Sequence, residues 1–209
     1  MNTPLRDCTL HQLLAAYSAP TIVPAGISGC ALSGAIGAAL ILKVAILSAR
    51  KLPEGHAREK VLAIARRVEP LRNMLEDIVE QDAKACARLA KTKSGHGKGV
   101  ESDDTLQRAL KTATIVPGAM GRASMICLNL ATDLVEFAHP PALPDLAMGA
   151  WLCRAAAESS LLAMQHNLQE ITDKAFCDKI TAQMSFFDGR QASLERILLA
   201  VDSTRYTQH

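Results

Sequence analysis

Aromatic side chains are scarce in this chain. Phe, Trp and Tyr together make up 3% of its 209 residues, and no stretch alternates apolar and polar side chains as a half-buried strand does. Strands are enriched in aromatic and β-branched residues, so this shortage argues against a sheet. Apolar residues still reach 49%, with alanine and leucine prominent. The composition favours an all-α protein whose single domain spans residues 1–209.

The charge and cysteine patterns exclude several classes of protein. The formal net charge is only +2, and no basic stripe is interleaved with aromatics, so nucleic acid is not an expected partner. The six cysteines are scattered, with no CxxC and no zinc-finger spacing. We therefore expect buried free thiols in a reducing cytoplasm and no metal site. The N-terminal "MNTPLRDCTL" has no compact apolar region before a cleavage site, which argues against a secretory signal.

Apolar residues recur at helical spacing along most of the chain. We predict a first helix starting at Thr3-Pro4, four long helices, and a last segment capped by Thr172 or Asp173 that breaks near residues 188–189. The four long predicted helices cover about residues 26–50, 56–91, 103–137 and 145–171. Two of them contain an internal proline, Pro70 and Pro117, which we expect to bend the helix without ending it. The predicted architecture is a bundle of long antiparallel helices.

The stretch "VPAGISGCALSGAIGAALIL", residues 23–42, carries no charge and is long enough to cross a bilayer. Its small residues also recur at helical spacing, a pattern that lets helix backbones approach closely in lipid or in a soluble bundle. The two stripes are Gly26, Cys30, Gly34, Ala38 and Gly29, Ser33, Gly37. Lys43 continues the same helix, and the other predicted helices are amphipathic. We therefore favour a central helix of a soluble bundle over a membrane span.

Five stretches occur in an order that is similar to a known family. They are "PAGISGCALSGAIGAAL", "LRNMLEDIVEQDAKACARL", "ALKTATIVPGAM", "HPPALPDLAMGAWLCRAAAESSLL" and "AMQHNLQEITDKAF". Together they resemble the cyclodeaminase/cyclohydrolase family, which comprises the C-terminal domain of formiminotransferase-cyclodeaminase and bacterial methenyltetrahydrofolate cyclohydrolases. The resemblance extends from about Tyr17 to Phe187.

The resemblance implies a helical homodimer with a folate pocket near the dimer interface. The implied reaction hydrolyses the N5,N10-methenyl bridge of tetrahydrofolate to 10-formyltetrahydrofolate, with folate as substrate and no metal or nucleotide cofactor. Because no formiminotransferase domain accompanies the chain, cyclohydrolase is the first expectation and formiminotetrahydrofolate cyclodeaminase the alternative.

Several positions depart from the family's pattern. Ile27 stands where the family has a third glycine, Lys43 where it has methionine, and Cys86 where it has phenylalanine. Further departures lie at Ile46, His139, Ala163 and Gln165. These changes keep two alternatives open. One is the same scaffold refitted to another small cyclic or amidine substrate; the other is a catalytically silent helical dimer that acts as a binding or partner subunit.

The resemblance implies that Asp82 and Asp145 are catalytic carboxylates, and we add Lys43 as a third candidate. A carboxylate can stabilise a cationic amidinium and exchange protons with the reacting atoms. Each residue also has a structural alternative. Asp82 could be a solvated charge beside Lys84, and Asp145 could be a first-turn acid favoured by the helix dipole. Lys43 could reach water from the helix end, or pair with either aspartate.

The substrate-binding candidates are Gly26, Ile27, Ser28, Gly29, His139, Arg154 and His166. Ser28 is expected to donate a hydrogen bond to the substrate, with capping of its helix as the alternative. The two histidines are candidate proton shuttles, although a lone histidine is more often structural. A folate's glutamate tail could be held by Arg154 or by the lysines at 93 and 98, with a solvated surface charge as the alternative for that loop.

Overall fold

The structure, a computed structural model, describes residues 4–95 and 100–206, and every regular element in that part of the chain is helical. The helices are α1 (Leu10–Ser18), α2 (Gly26–Lys51), α3 (His56–Ser94), α4 (Val100–Leu134), α5 (Leu143–Leu168), α6 (Lys174–Met184) and α7 (Arg190–Tyr206). Short 3-10 turns lie at Leu5–Asp7, Val135–Phe137, Pro140–Ala142 and Ser185–Phe187. The predicted all-α class is confirmed.

Helix α2 is the core helix of an antiparallel bundle. It packs between α3 and α5 and also contacts α4, while α7 lies against α4 and α5. Among the described residues, α2 is the one helix long and apolar enough to cross a membrane, a test that buried core helices also pass. Its contacts with three neighbouring helices account for its apolar composition, as expected for a helix packed on several sides.

The small residues of α2 allow its backbone to touch that of α5. A Cβ added to Gly37 would lie 2.7 Å from the carbonyl oxygen of Gly149 and 2.8 Å from Cys153 Sγ. A Cβ added to Gly149 would lie 2.8 Å from the carbonyl oxygen of Gly37. Neither helix can therefore carry a side chain at this crossing without moving the other. The predicted close helix packing is confirmed at this crossing, within the bundle.

Both internal prolines lie inside continuous helices. A proline lacks the N–H that would bond the carbonyl four residues earlier, which for Pro117 is the carbonyl of Ala113. Asn167 of α5 supplies the missing donor, because its Nδ2 donates to that carbonyl at 2.8 Å. Ser160 Oγ donates to the carbonyl of Pro117 itself at 2.6 Å. Helix α5 thus compensates for the proline of α4.

The predicted start of the first helix, at Thr3-Pro4, lies too early in the chain. Helix α1 begins at Leu10, where the Thr9 side chain accepts the Gln12 N–H and the Gln12 side chain accepts the Thr9 N–H. This reciprocal capping box satisfies two helix-start donors, whereas Pro4 only precedes a short 3-10 turn. Thr3, the predicted cap, lies outside the described residues.

None of the six cysteines, all of which lie within residues 4–95 and 100–206, forms a disulfide, as expected. Only Cys127 and Cys153 are fully buried as predicted, and the other four cysteines are half-buried. The thiols therefore do not share one environment, and those near the surface of the bundle can line grooves.

Candidate active site

The carboxylate of Asp82 is buried beside the first turn of α2. Asp82 lies on α3, is only 6% exposed, and accepts a hydrogen bond from the backbone N–H of Ser28. Ala25, at the N-cap of α2, has no capping side chain, so the neighbouring helix supplies the acceptor. The second oxygen, Oδ2, is also buried but has no hydrogen-bond partner. One carboxylate oxygen is therefore left for another donor.

Burial raises the pKa of Asp82 from 3.8 to about 6, and the N–H of Ser28 opposes that rise only in part. Removing a carboxylate from water disfavours its charged form, so the group moves toward neutrality where a proton can be gained or lost. Asp82 is thus no solvated charge on a helix face. A buried acid with a raised pKa is a candidate for proton transfer.

Ser28 is fully buried, and its hydroxyl donates its proton in a hydrogen bond to another atom of the protein. Ser28 Oγ donates to the carbonyl of Ala25 at 2.7 Å and accepts from Tyr17 Oη at 3.1 Å. Ser28 therefore fixes the turn into α2, which favours its structural alternative over donation to a substrate. Burial raises the pKa of Tyr17, and the hydrogen bond to Ser28 partly offsets that rise.

Tyr17 lies on the apolar stripe of the first helix, with Leu10, Leu13 and Leu14, and no pattern in the sequence indicates a role for its hydroxyl. Its ring packs beside Gly29, where an added Cβ would lie 3.4 Å from Tyr17 Cε1. Ile27 is half-buried against the core, and Gly26 is exposed with open space around it. Gly26, Ile27 and Gly29 carry no polar side-chain atom, so they offer no side-chain proton donor or acceptor to a substrate.

Two open grooves flank the Asp82 segment of α3. One, of about 490 Å³, is lined by Ile22, Cys86, Leu89, Ala90, Lys93 and Ser94. The other, of about 440 Å³, includes Val23, Pro24 and Ala83 in its walls. Cys86 lies one turn after Asp82, with Sγ 3.7 Å from the carbonyl oxygen of Ile22. Burial raises the pKa of the Cys86 thiol, and the nearby Asp82 adds to that rise.

Lys43 and Asp145 form an ion pair at the other end of α2. Lys43 Nζ donates to Asp145 Oδ2 at 2.6 Å, with the two side chains 55% and 34% exposed. Lys43 follows Ser28 by fifteen residues, which separates the two positions by about 22 Å along a helix. Lys43 thus pairs with Asp145 and not with Asp82. The three predicted catalytic residues do not meet within one chain.

The remaining candidates are dispersed. His139 lies near the Lys43 end, where its backbone N–H donates to Ser48 Oγ at 2.9 Å. The guanidinium of Arg154 lies 3.6 Å from Glu158 and 5.7 Å from the centre of the Trp151 ring. His166 is exposed in the last turn of α5. The structure therefore assigns Arg154 to contacts along its own helix, and it groups only Ser28 and Gly29, with Tyr17, around Asp82.

Helices α2 and α5 also expose large apolar side chains. They are Ile36, Ile46, Met148, Trp151 and Leu162, which we call the α2–α5 face. Ile36 borders a further groove of about 430 Å³ that is lined mainly by apolar residues of α1, α2 and α3. Large exposed apolar side chains of this kind are candidates for an interaction surface.

Comparison with known proteins agrees with this architecture. Residues 9–186 match the family model described as Formiminotransferase-cyclodeaminase. Over 196 residues the chain is 28% identical to the methenyltetrahydrofolate cyclohydrolase of Methylorubrum extorquens, covering 90% of this chain and 92% of that protein. The crystal structure of formiminotetrahydrofolate cyclodeaminase from Thermotoga maritima has a TM-score of 0.84 and 22% identity, covering 95% of this chain and 98% of that one. This last likeness establishes the shared fold.

Proposed function

The chain belongs to the formiminotransferase-cyclodeaminase family, and from that premise we propose that it is a methenyltetrahydrofolate cyclohydrolase. The proposed reaction adds water to the methenyl carbon that bridges N5 and N10 of tetrahydrofolate and gives 10-formyltetrahydrofolate. The relative in Methylorubrum extorquens that carries this name matches along nearly its whole length, which favours this activity over cyclodeamination. We further propose a cytoplasmic enzyme that uses no metal or nucleotide cofactor.

The buried, unpartnered oxygen of Asp82 is the observation that carries this proposal. The methenyl bridge is an amidinium whose positive charge is shared by N5 and N10. A buried carboxylate stabilises such a cation far better than an exposed one, because little water screens the pair. Residues of α3 close to Asp82, among them Ala83 and Cys86, line two open grooves through which a flat substrate can approach this part of the helix. No other buried carboxylate occurs among the described residues.

The pKa of Asp82 suits both proton transfers that the reaction needs. As water attacks the methenyl carbon, its proton passes to the ionised Asp82 and a new C–O bond forms. The tetrahedral carbon then releases N5, which takes the proton back as the C–N5 bond breaks, and the hydroxyl oxygen loses its remaining proton to solvent as it becomes the formyl C=O. An acid whose pKa is about 6 can exchange protons in both directions near neutral pH.

We propose that the enzyme acts as a homodimer formed through the α2–α5 face. Ile36 is exposed and lies about midway between Ser28 and Lys43 along α2. A two-fold axis through Ile36, at right angles to α2, would set Lys43 and Asp145 of a second copy opposite the Asp82 end of the first. Such an arrangement would join the two groups of candidate residues that one chain keeps apart.

The dimer is tested by sedimentation velocity on Ile36→Glu beside Leu199→Glu, an exposed leucine of α7 that serves as the control. We expect Ile36→Glu to sediment as a monomer and to lose turnover, because a charge is buried without a partner at the interface. The control should remain dimeric and active. A wild-type monomer, or a dimer that persists in Ile36→Glu, would refute this arrangement.

The activity is tested by the absorbance decay of 5,10-methenyltetrahydrofolate with purified protein. Asp82→Asn keeps the shape of the side chain and an oxygen for the Ser28 N–H, but removes the charge and the exchangeable proton. We expect turnover to fall by about a hundredfold or more. Decay by the wild-type protein no faster than in buffer would refute the proposal.

The separation of Asp82 from the Lys43–Asp145 pair favours a second candidate function, a catalytically silent helical dimer that serves as a partner subunit. This candidate predicts no turnover of methenyltetrahydrofolate and no effect of Asp82→Asn on association with its partner. A wild-type rate that depends on Asp82 would exclude it. A scaffold refitted to another amidine substrate would instead show Asp82-dependent ligand binding without folate turnover.

A further inference from the structure

One face of α3 carries three kinds of side chain in a fixed order. The Asp82 carboxylate comes first, the Cys86 thiol follows one turn later, and Lys93 lies two turns beyond that. Cys86 and Lys93 line the same groove, together with Ile22, Leu89, Ala90 and Ser94. An anionic group, an apolar cavity and an ammonium group therefore follow one another along a single helix.

The middle of this groove suits an aromatic ring. Its volume is about 490 Å³, within the range of small-molecule sites, and most of its lining side chains are apolar. Ile22, on the loop before α2, forms the opposite wall and remains exposed. A flat ring between Ile22 and α3 would cover apolar surface that water now contacts.

The far end of the groove holds the ammonium group of Lys93, whose charge is paired with the carboxylate of Glu170. Lys93 Nζ donates to both carboxylate oxygens of Glu170, at 2.8 and 2.7 Å. An ammonium group has three N–H donors, so these two bonds leave a third for an incoming group. The Lys93 side chain is about half exposed, and a carboxylate at the mouth of the groove can reach it.

We propose that this groove binds the aryl-carboxylate arm of the substrate, an inference that rests on the proposed function. A reduced folate carries its amidinium, its aromatic ring and its glutamate carboxylate in the same order as Asp82, the apolar cavity and Lys93. The two charged residues are eleven positions apart, about 16 Å along the helix axis. The ring and glutamate span on the order of 10 Å by ordinary bond lengths, and the flexible lysine side chain covers the remainder.

The assignment makes Lys93 a specificity residue for glutamylated substrates. A substrate that ends at the aromatic ring would keep its contacts with Asp82 and the cavity but lose the contact with Lys93. Discrimination between the two forms should therefore depend on Lys93 and not on the charge of the surface in general. Lys91, an exposed lysine of the same helix that does not line this groove, provides the matched control.

The test measures dissociation constants by calorimetry for 5-formyltetrahydrofolate and for its tetrahydropteroate analogue without glutamate. We expect Lys93→Gln to weaken binding of the glutamylated ligand about tenfold, the loss of one charge-assisted hydrogen bond, and to leave the truncated ligand unchanged. Lys91→Gln should bind both ligands like the wild type. Ala90→Leu, which fills the open cavity, should weaken both ligands because both carry the ring.

Equal affinity of wild type and Lys93→Gln for the glutamylated ligand would overturn the assignment, as would an equal loss for both ligands or no binding of either. The turnover assay separates this proposal from the proposed function. Lys93-dependent binding without turnover would support the arm site and refute the reaction. Turnover with a KM that changes neither in Lys93→Gln nor when the substrate lacks its glutamate would support the reaction and refute the arm site.

Discussion

Folding buries the charge of Asp82 against a single backbone N–H. The pKa of this carboxyl rises from 3.8 to about 6 in the folded protein, so the folded chain holds its proton more tightly than the unfolded chain does. Between these two values the folded chain keeps a proton that the unfolded chain has released, and the free energy of unfolding therefore falls as the pH rises. A rise of about two pKa units corresponds to roughly 3 kcal/mol.

Asp82→Asn should abolish this dependence. The amide is neutral at every pH, and its oxygen can still accept the N–H of Ser28. Urea unfolding followed by far-UV circular dichroism, near pH 4 and near pH 8, gives the free energy of unfolding of both proteins at one fixed protein concentration. Relative to wild type, the variant should gain about 2.4 kcal/mol between the low and the high pH, because near pH 4 the unfolded Asp82 is already partly protonated and the other carboxylates titrate alike in both proteins.

Asp77→Asn is the control, since Asp77 is an exposed carboxylate of the same helix whose charge is not buried. It should follow the wild-type pH dependence. If Asp82→Asn also follows it, Asp82 does not carry a buried charge near neutral pH, and its role would reduce to capping α2. Parallel curves for all three proteins would thus refute both the proton-transfer role and the reasoning that leads to it.

Three further changes test the packing. Gly37→Ala should lower the free energy of unfolding by about 1–3 kcal/mol because its Cβ meets backbone, whereas Gly26→Ala, with nothing within 4 Å, should not; equal midpoints in urea would contradict this. Asn167→Leu should cost about 1–3 kcal/mol by leaving a carbonyl unpaired, and the loss should shrink when Pro117→Ala restores the missing N–H, as a double-mutant cycle would show. Lys43→Met should change the free energy of unfolding by less than about 1 kcal/mol in thermal or urea unfolding, since its ion pair is half exposed; a larger loss would mean that the pair is shielded from water, as at a subunit interface.

Helix positions were predictable because they depend on local spacing. The predicted second helix, residues 26–50, agrees with Gly26–Lys51, and the predicted cap at Asp173 does accept the N–H of Phe176. The predicted start of the first helix was wrong because two local signals compete there. The capping box at Thr9 satisfies more backbone N–H donors than a proline at the first helical position does.

The candidate site was predictable in its residue types but not in its geometry. The resemblance to the family selected Asp82, whereas its burial depends on where α3 crosses the start of α2, which no local pattern encodes. Asn167 lies in one of the five stretches that resemble the family, but the sequence predicts no role for it. The structure places its side chain against the helix that contains Pro117. Tyr17 was missed because a residue on an apolar stripe gives no sign that its hydroxyl reaches Ser28.

The contact between Gly37 and Gly149 restricts how this chain can diverge in evolution. Each glycine leaves room only for the backbone of the other helix, so a larger residue at either position must push the two helices apart. Widening that crossing would also displace Lys43 from Asp145, which the same two helices hold together. Substitution of either glycine is therefore coupled to the charged pair. A homologue that gains a side chain at one of these positions must also re-form the contact between Lys43 and Asp145.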